Sequence, residues 1–269
     1  MDQPVAKRIT ITALQNACRE GRKIAMLTCY DATFAAVLEE AGVDVLLVGD
    51  SLGNVIQGQS STLPVTLDDM VYHVRCVERG THKAFIMADM PFGTFQLSPQ
   101  ETFRNAAHLM AAGAQMIKIE GGRHMTETIG FLASRGIPVC AHIGLTPQSV
   151  HQLGGYRVQG KNASEARQLC EDALLLQEAG ASLLLMELIP AALGEEITRS
   201  LSIPTIGIGA GPACSGQVLV LHDMLGISPG ILPRFVRNFM TDANSIQSAV
   251  SNYVTAVKSG EFPAHEHVF

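Results

Sequence analysis

The sequence predicts an α/β chain folded as a (β/α)8 TIM barrel. Three observations carry that prediction. Short aliphatic and β-branched runs alternate with helical patterns along most of the chain, and such alternation implies parallel strands joined by right-handed crossovers. The runs show little polar–apolar alternation, as expected of strands covered on both faces. Eight of them fit within 269 residues, the size of one barrel domain.

The first strand is read at 24–29 and its helix at 31–41, stopped by Gly42. A second strand follows at once, 43–48, and a helix at 67–79 begins after Thr66, an N-cap residue with Asp69 three positions on. The third strand, 84–88, leads to a helix at 99–112 and Gly113. The fourth, 114–119, leads to 126–135 and Gly136; the fifth, 137–141, leads to 164–179 and Gly180. The sixth, 181–186, leads to 191–200, and the last two strands are read at 203–208 and 218–221. Each glycine stands where a helix end favours a left-handed residue. The alternative is an open doubly wound sheet, which normally carries a glycine fingerprint after its first strand; the turn here reads Cys29-Tyr30-Asp31-Ala32-Thr33. The later Gly207-Ile208-Gly209-Ala210-Gly211-Pro212 has a proline where the third fingerprint glycine is needed. No linker or low-complexity tract appears, so residues 1–269 read as a single barrel domain with a C-terminal helical segment from about 242. Ile246, Val250, Val254 and Val257 share one face of that segment, which packs on the barrel or on a neighbouring subunit.

Composition narrows the function. Residues AVILMFWYC make up 47% and charged residues 16%, with a net charge of −6. That is the reverse of a disordered chain, and it offers no basic stripe to nucleic acid or an anionic membrane. The absence of Trp and the four Tyr argue against a stacking platform. Six cysteines form no C-x-x-C pair and read as free thiols of a reducing compartment. The start, Met1-Asp2-Gln3-Pro4-Val5-Ala6-Lys7-Arg8 and then alternating polar and apolar residues, has no continuous apolar h-region. The most apolar stretch, 173–193, is broken by Gln177, Glu178 and Glu187. The expectation is a cytoplasmic protein acting on small molecules.

In a parallel barrel the working face is the carboxyl rim of the strands. The strand ends place Asp50 and Ser51, Asp89, Lys118 and Glu120, His142 and Glu187 there. Strand alternation puts Lys118 and Glu120 on one side. Each has a plain alternative: Asp50 and Asp89 as caps, Glu120 as the salt-bridge partner of Lys118, His142 as a hydrogen-bonded rim residue. Glu187 sits among Leu183-Leu184-Leu185-Met186 and Leu188-Ile189, where a carboxylate needs a partner or a task. Taken together, all-oxygen ligands favour Mg²⁺. A carboxylate base beside a metal-polarised carbonyl is the equipment of an aldol-type carbon–carbon bond former.

Several blocks are more specific. Val48-Gly49-Asp50-Ser51-Leu52-Gly53, Ala88-Asp89-Met90-Pro91-Phe92-Gly93 and Lys118-Ile119-Glu120-Gly121-Gly122 resemble signature blocks of the ketopantoate hydroxymethyltransferase family. So do His142-Ile143-Gly144-Leu145-Thr146-Pro147-Gln148-Ser149 and Gly154-Gly155-Tyr156-Arg157-Val158-Gln159-Gly160. The resemblance runs from Ile9 to His267. It implies a barrel of the phosphoenolpyruvate/pyruvate type that transfers a hydroxymethyl group from 5,10-methylenetetrahydrofolate to 3-methyl-2-oxobutanoate, in pantothenate biosynthesis. By motif, Asp50, Asp89 and Glu120 match the family's Mg²⁺ carboxylates. Asp50, Ser51, Asp89 and Lys118 match its ketoacid-binding positions, and Glu187 its proton acceptor. The family is usually a homodecamer. One departure stands out: family members commonly have Cys-Asp-Gly-Gln where this chain has Cys214-Ser215-Gly216-Gln217. The competing enzyme class is a Mg²⁺-dependent lyase or mutase of the phosphoenolpyruvate mutase/isocitrate lyase type; Cys140-Ala141-His142 lacks the reactive-cysteine setting of isocitrate lyases. A catalytically silent barrel would show an eroded rim, and this rim is intact.

Overall fold

In a computed structural model, which describes residues 7–230 and 232–269, the chain forms a closed barrel of eight parallel strands in sequence order. The opening residues 1–6, part of the stretch read for a secretory signal, lie outside the described residues. The elements run α1 (Ile11–Arg19), β1 (Ile24–Thr28), α2 (Ala32–Glu40), β2 (Val45–Val48), α3 (Leu52–Val55), α4 (Leu67–Gly80) and β3 (Phe85–Asp89). They continue α5 (Pro99–Ala112), β4 (Met116–Glu120), α6 (Thr126–Ala133), β5 (Val139–Gly144), α7 (Val150–Leu153), α8 (Ala163–Glu178), β6 (Leu183–Glu187) and α9 (Ala191–Ser200). The chain finishes β7 (Thr205–Ile208), β8 (Gly216–Leu219), α10 (Leu221–Met224) and α11 (Ile246–Ser259). Among the described residues, no helix is long and apolar enough to cross a membrane.

All eight expected strands are present, but β7 starts two residues later than its apolar run, Ile203 N–H donating to Gln177 Oε1, and β2, β4, β5 and β6 do likewise. For these last four the reason is helix closure. Val43 N–H bonds back to Leu38 O, and Ala181 N–H to Leu176 O, across Gly42 and Gly180 at φ +91° and +108°. In each case the first apolar residue satisfies a helix carbonyl instead of the strand ladder. β8 is shifted the other way, because Gly216 pairs with both Ile24 and Ile206, and Leu221 already opens α10, its N–H donating to Thr28 Oγ1 at 2.9 Å.

Three departures from the expected pattern matter. The alternating residues after Arg8 form helix α1, capped by Thr10, with Leu14 and Ala17 on its buried face. No helix separates β7 from β8 among the described residues; the glycine-rich segment there is a turn, with Gln217 Nε2 donating to Gly211 O at 3.0 Å. The outer layer is completed instead by α11. Its Tyr253 hydroxyl lies 2.9 Å from both Met26 O on β1 and Gln217 O on β8, so the C-terminal segment packs on the barrel. The capping box expected at Thr66 and Asp69 forms as read.

Candidate active site

Register builds the rim. β3 pairs with β4 so that Asp89 stands beside Lys118, and β4 with β5 so that Glu120 stands beside His142. Leu185 pairs with His142, and Glu187, two residues on, points the same way one layer higher. Together with Asp50 and Ser51, these side chains line one cavity of about 570 Å³ at the carboxyl ends of the strands. Every site residue expected from the sequence is therefore gathered in one place.

The interior is a charge cluster. Asp50, Asp89, Lys118, Glu120 and His142 are all buried, none more than 5% exposed. Lys118 Nζ lies 3.1 Å from Asp89 Oδ1 and 3.9 Å from Glu120 Oε1, so Asp89, not Glu120, is its tighter partner. Burial opposes the Lys118 charge, but Asp89, Glu120 and Asp50 outweigh it and hold the ammonium above its ordinary pKa. Burial and then the carboxylates of Asp89 and Glu120 push Asp50 well above the usual carboxylate range. For Glu120, burial is outweighed by His142 and Lys118, which hold it below that range.

Neither aspartate caps a helix. Asp89 Oδ2 accepts the Asp50 N–H at 3.0 Å, and the turn into α3 has Ser51 as N-cap without a side-chain cap bond. Glu187 finds the partner that its apolar run demanded: its Oε2 lies 3.2 Å from His142 Nε2. The following residue, Leu188, adopts φ +44°, rare for a branched side chain. That backbone is pinned, Leu188 N–H donating to Ile208 O and its carbonyl accepting from Gln159 N–H, at 2.9 and 2.8 Å. A strained residue next to a candidate base, held by its surroundings, is a recurrent feature of working sites.

The donor set suits a hard cation. Asp89 Oδ1 and Glu120 Oε1 are buried and take no backbone or amide donor. Only the Lys118 ammonium, at 3.1 and 3.9 Å, and His142 Nδ1, 3.6 Å from Glu120 Oε1, approach them. Among the described residues no three His, Cys, Asp or Glu side chains form a ready-made cage. Mg²⁺ suits such a site, because it is usually held by one or two carboxylates plus water and substrate oxygens.

Two residues escaped the sequence reading. Gln148, in the turn after β5, donates from Nε2 to Asp50 Oδ2 at 2.8 Å and from its backbone N–H to Glu120 Oε2 at 3.0 Å. The Tyr30 hydroxyl, wholly buried, lies 2.8 Å from Ser51 Oγ. Gln148 did fall within a block that carried the resemblance, but no periodicity singles it out. Ser215, the departure from the family pattern, sits at the opposite end of the barrel. Its Oγ accepts from Thr205 N–H at 3.2 Å and lies 3.1 Å from Cys18 Sγ, while its carbonyl accepts from Ile24 N–H.

The chain is similar to known proteins over most of its length. The family model described as ketopantoate hydroxymethyltransferase matches residues 8–265. Proteins named 3-methyl-2-oxobutanoate hydroxymethyltransferase are similar over the whole chain. That of Nitrosomonas europaea is 82% identical over 269 residues, covering 100% of both chains. That of Nitrosospira multiformis is 68% identical over 97% of this chain and 100% of its own. Among solved structures, a phosphonopyruvate hydrolase in complex with oxalate and Mg²⁺ superposes with a TM-score of 0.61 at 14% identity, covering 79% of this chain and 81% of that one. A 2,3-dimethylmalate lyase of the PEP mutase/isocitrate lyase superfamily gives 0.59 at 19% identity, covering 78% and 81%. At such identities these two likenesses speak to the barrel fold.

Proposed function

The chain belongs to the ketopantoate hydroxymethyltransferase family, and from that premise we propose that its cavity transfers a hydroxymethyl group from 5,10-methylenetetrahydrofolate to 3-methyl-2-oxobutanoate. The products are 2-dehydropantoate and tetrahydrofolate, in pantothenate biosynthesis. The observation that carries the reading is the convergence of Asp50, Ser51, Asp89, Lys118, Glu120 and Glu187 on one cavity.

In this reading Asp50, Asp89 and Glu120 would hold Mg²⁺, Asp89 and Glu120 through buried oxygens that no backbone or amide donor occupies. When bound, the cation polarises the ketone and acidifies the neighbouring C–H. Lys118 Nζ and Ser51 Oγ face the ketoacid, the ammonium matching its carboxylate as a point charge. Glu187 would remove the proton from the carbon beside the ketone, and that carbon would bond to the folate's methylene carbon. The methylene's two bonds to folate nitrogens break as one water supplies the hydroxyl oxygen and the protons the nitrogens take up. The proton taken by Glu187 goes to the new alkoxide. Apolar residues on the strands and loops around the cavity, such as Leu47, Leu185 and Ile208, limit water around the reacting carbon.

The reading extends to a cytoplasmic homodecamer formed by the chain as a single domain; light scattering near 28.7 kDa would refute assembly. A lyase that leans on a reactive cysteine is poorly served here. Cys140 is fully buried beneath the rim, and burial pushes its thiol up. The direct test mixes purified protein with Mg²⁺, 3-methyl-2-oxobutanoate and methylenetetrahydrofolate. Formation of 2-dehydropantoate is expected, and its absence under conditions that support a family member would overturn the assignment.

A further inference from the structure

Each of the three carboxylates proposed above as Mg²⁺ ligands has one oxygen occupied by an N–H donor. Asp89 Oδ2 takes the Asp50 N–H at 3.0 Å, Asp50 Oδ2 takes Gln148 Nε2 at 2.8 Å, and Glu120 Oε2 takes the Gln148 N–H at 3.0 Å. The other oxygens of Asp89 and Glu120 are buried, take no backbone or amide donor, and face the Lys118 ammonium at 3.1 and 3.9 Å. Two of the three orienting bonds come from one residue. Gln148 also spends its second amide hydrogen on Met90 O at 2.9 Å, next to Asp89, so it ties β2, β3 and β4 together at the rim while itself only 6% exposed.

The orientation of that amide is over-determined. Gln96 Oε1 accepts the N–H groups of Gly93 and Phe95 at 2.8 and 3.3 Å. Its Nε2 is thereby turned to Gln148 Oε1 at 3.4 Å. With its oxygen facing Gln96, Gln148 presents its NH₂ to Asp50, and the reverse flip would set an amide oxygen against a carboxylate.

We propose that Gln148 is the positioning residue of the metal site: it fixes which oxygen of Asp50 and of Glu120 is offered to the cation. Supporting groups behind metal ligands commonly set affinity by holding the ligands in one orientation. The inference rests on the Mg²⁺ reading of this cavity.

The test is metal binding with no substrate present, by calorimetry with Mg²⁺ and by electron paramagnetic resonance with Mn²⁺. Gln148→Met keeps the side chain's length and removes its donors, and should weaken both metals by roughly 10–100-fold. The thermal midpoint measured in chelator should move little by comparison. Gln148→Asn draws the amide back by one C–C bond, about 1.5 Å, and should weaken binding in the same direction; it decides the matter should the methionine variant not fold. Wild-type metal affinity in the folded variants would overturn the role of Gln148 alone. So would a lowered midpoint in chelator with affinity unchanged, which would make it a packing residue. A wild-type protein that binds neither metal would overturn the metal reading and this inference with it.

Discussion

His142 stands between Lys118 and Glu187, with Nδ1 3.2 Å from the Lys118 ammonium and Nε2 3.2 Å from Glu187 Oε2. The ring edge carrying Nε2 thus faces Glu187 without a hydrogen bond of its own, while the Nδ1 edge faces Lys118 and Glu120. Glu187 thus has one oxygen against the imidazole. Glu187→Gln keeps the side chain's size and should keep fold, metal and ketoacid binding. Losing a general base should cost about 10²–10⁴-fold in turnover. With folate omitted, wild type and Mg²⁺ in D₂O should exchange the ketoacid's proton on the carbon beside the ketone, and the variant should not. Exchange at the wild-type rate would give the base to another group.

Asp89 bonds to the Asp50 backbone and pairs with Lys118, so its charge serves both metal and substrate sides of the cavity. Asp89→Asn keeps an acceptor for the Asp50 N–H and removes only the charge. Calorimetry should show Mg²⁺ and ketoacid binding both weakened, by no less than the roughly 10–100-fold that losing a supporting group costs. Wild-type affinity for both would remove Asp89 from the site.

Much of this site was legible because a strand's two-residue period is strict. Lys118 and Glu120 had to share a face of β4, and Glu187 closed a run too apolar to hold an idle charge. The capping box at Thr66 was legible for the same reason, since a helix start needs donors satisfied within three residues. Gln148 was not, because its partners come together only when the barrel closes; it lies 98 positions from Asp50 in the chain. Helix α1 went unread because Ile9, Ile11 and Ala13 alternate, while Leu14 and Ala17 supply the helical spacing that folding uses. The missing helix between β7 and β8 was likewise invisible locally. The helix that completes the outer layer at the β8–β1 seam is α11, held there by Tyr253 through carbonyls of both strands.

Lys118 is 4% exposed and stands among three carboxylates, so it serves either chemistry or charge balance. Lys118→Met keeps the aliphatic length and loses the ammonium. If the ammonium meets the ketoacid, kcat/KM should fall by about 10²–10³-fold, the scale of removing one preorganised electrostatic contact. Circular dichroism should be unchanged in the presence of Mg²⁺. Activity retained with the fold intact would leave Lys118 as the ion-pair partner of Asp89 and nothing more.

Away from the cavity, Glu39 near the end of α2 gives a stability prediction. Its Oε2 accepts from the Thr81 hydroxyl and from the N–H groups of His82, Lys83 and Ala84, the last three at 2.9, 2.6 and 3.0 Å. The carboxylate so gathers the segment that leads into β3. Partial burial raises its pKa, but these donors outweigh that and hold it below the ordinary 4.5. A folded-state pKa below the unfolded one means that ionised Glu39 stabilises the fold above the unfolded value, and that the contribution is lost as pH falls through the folded value. Glu39→Gln keeps the size and an acceptor but no charge. Given the group's partial exposure, it should cost about 1–2 kcal/mol at neutral pH. That corresponds to a drop of roughly 2–8 °C in thermal midpoint for a chain of this size. On acidification the wild-type midpoint should fall toward that of the variant, and the gap should vanish once Glu39 is protonated in the folded state. A gap that stays constant or widens toward low pH would show that the carboxylate's charge does not hold this segment.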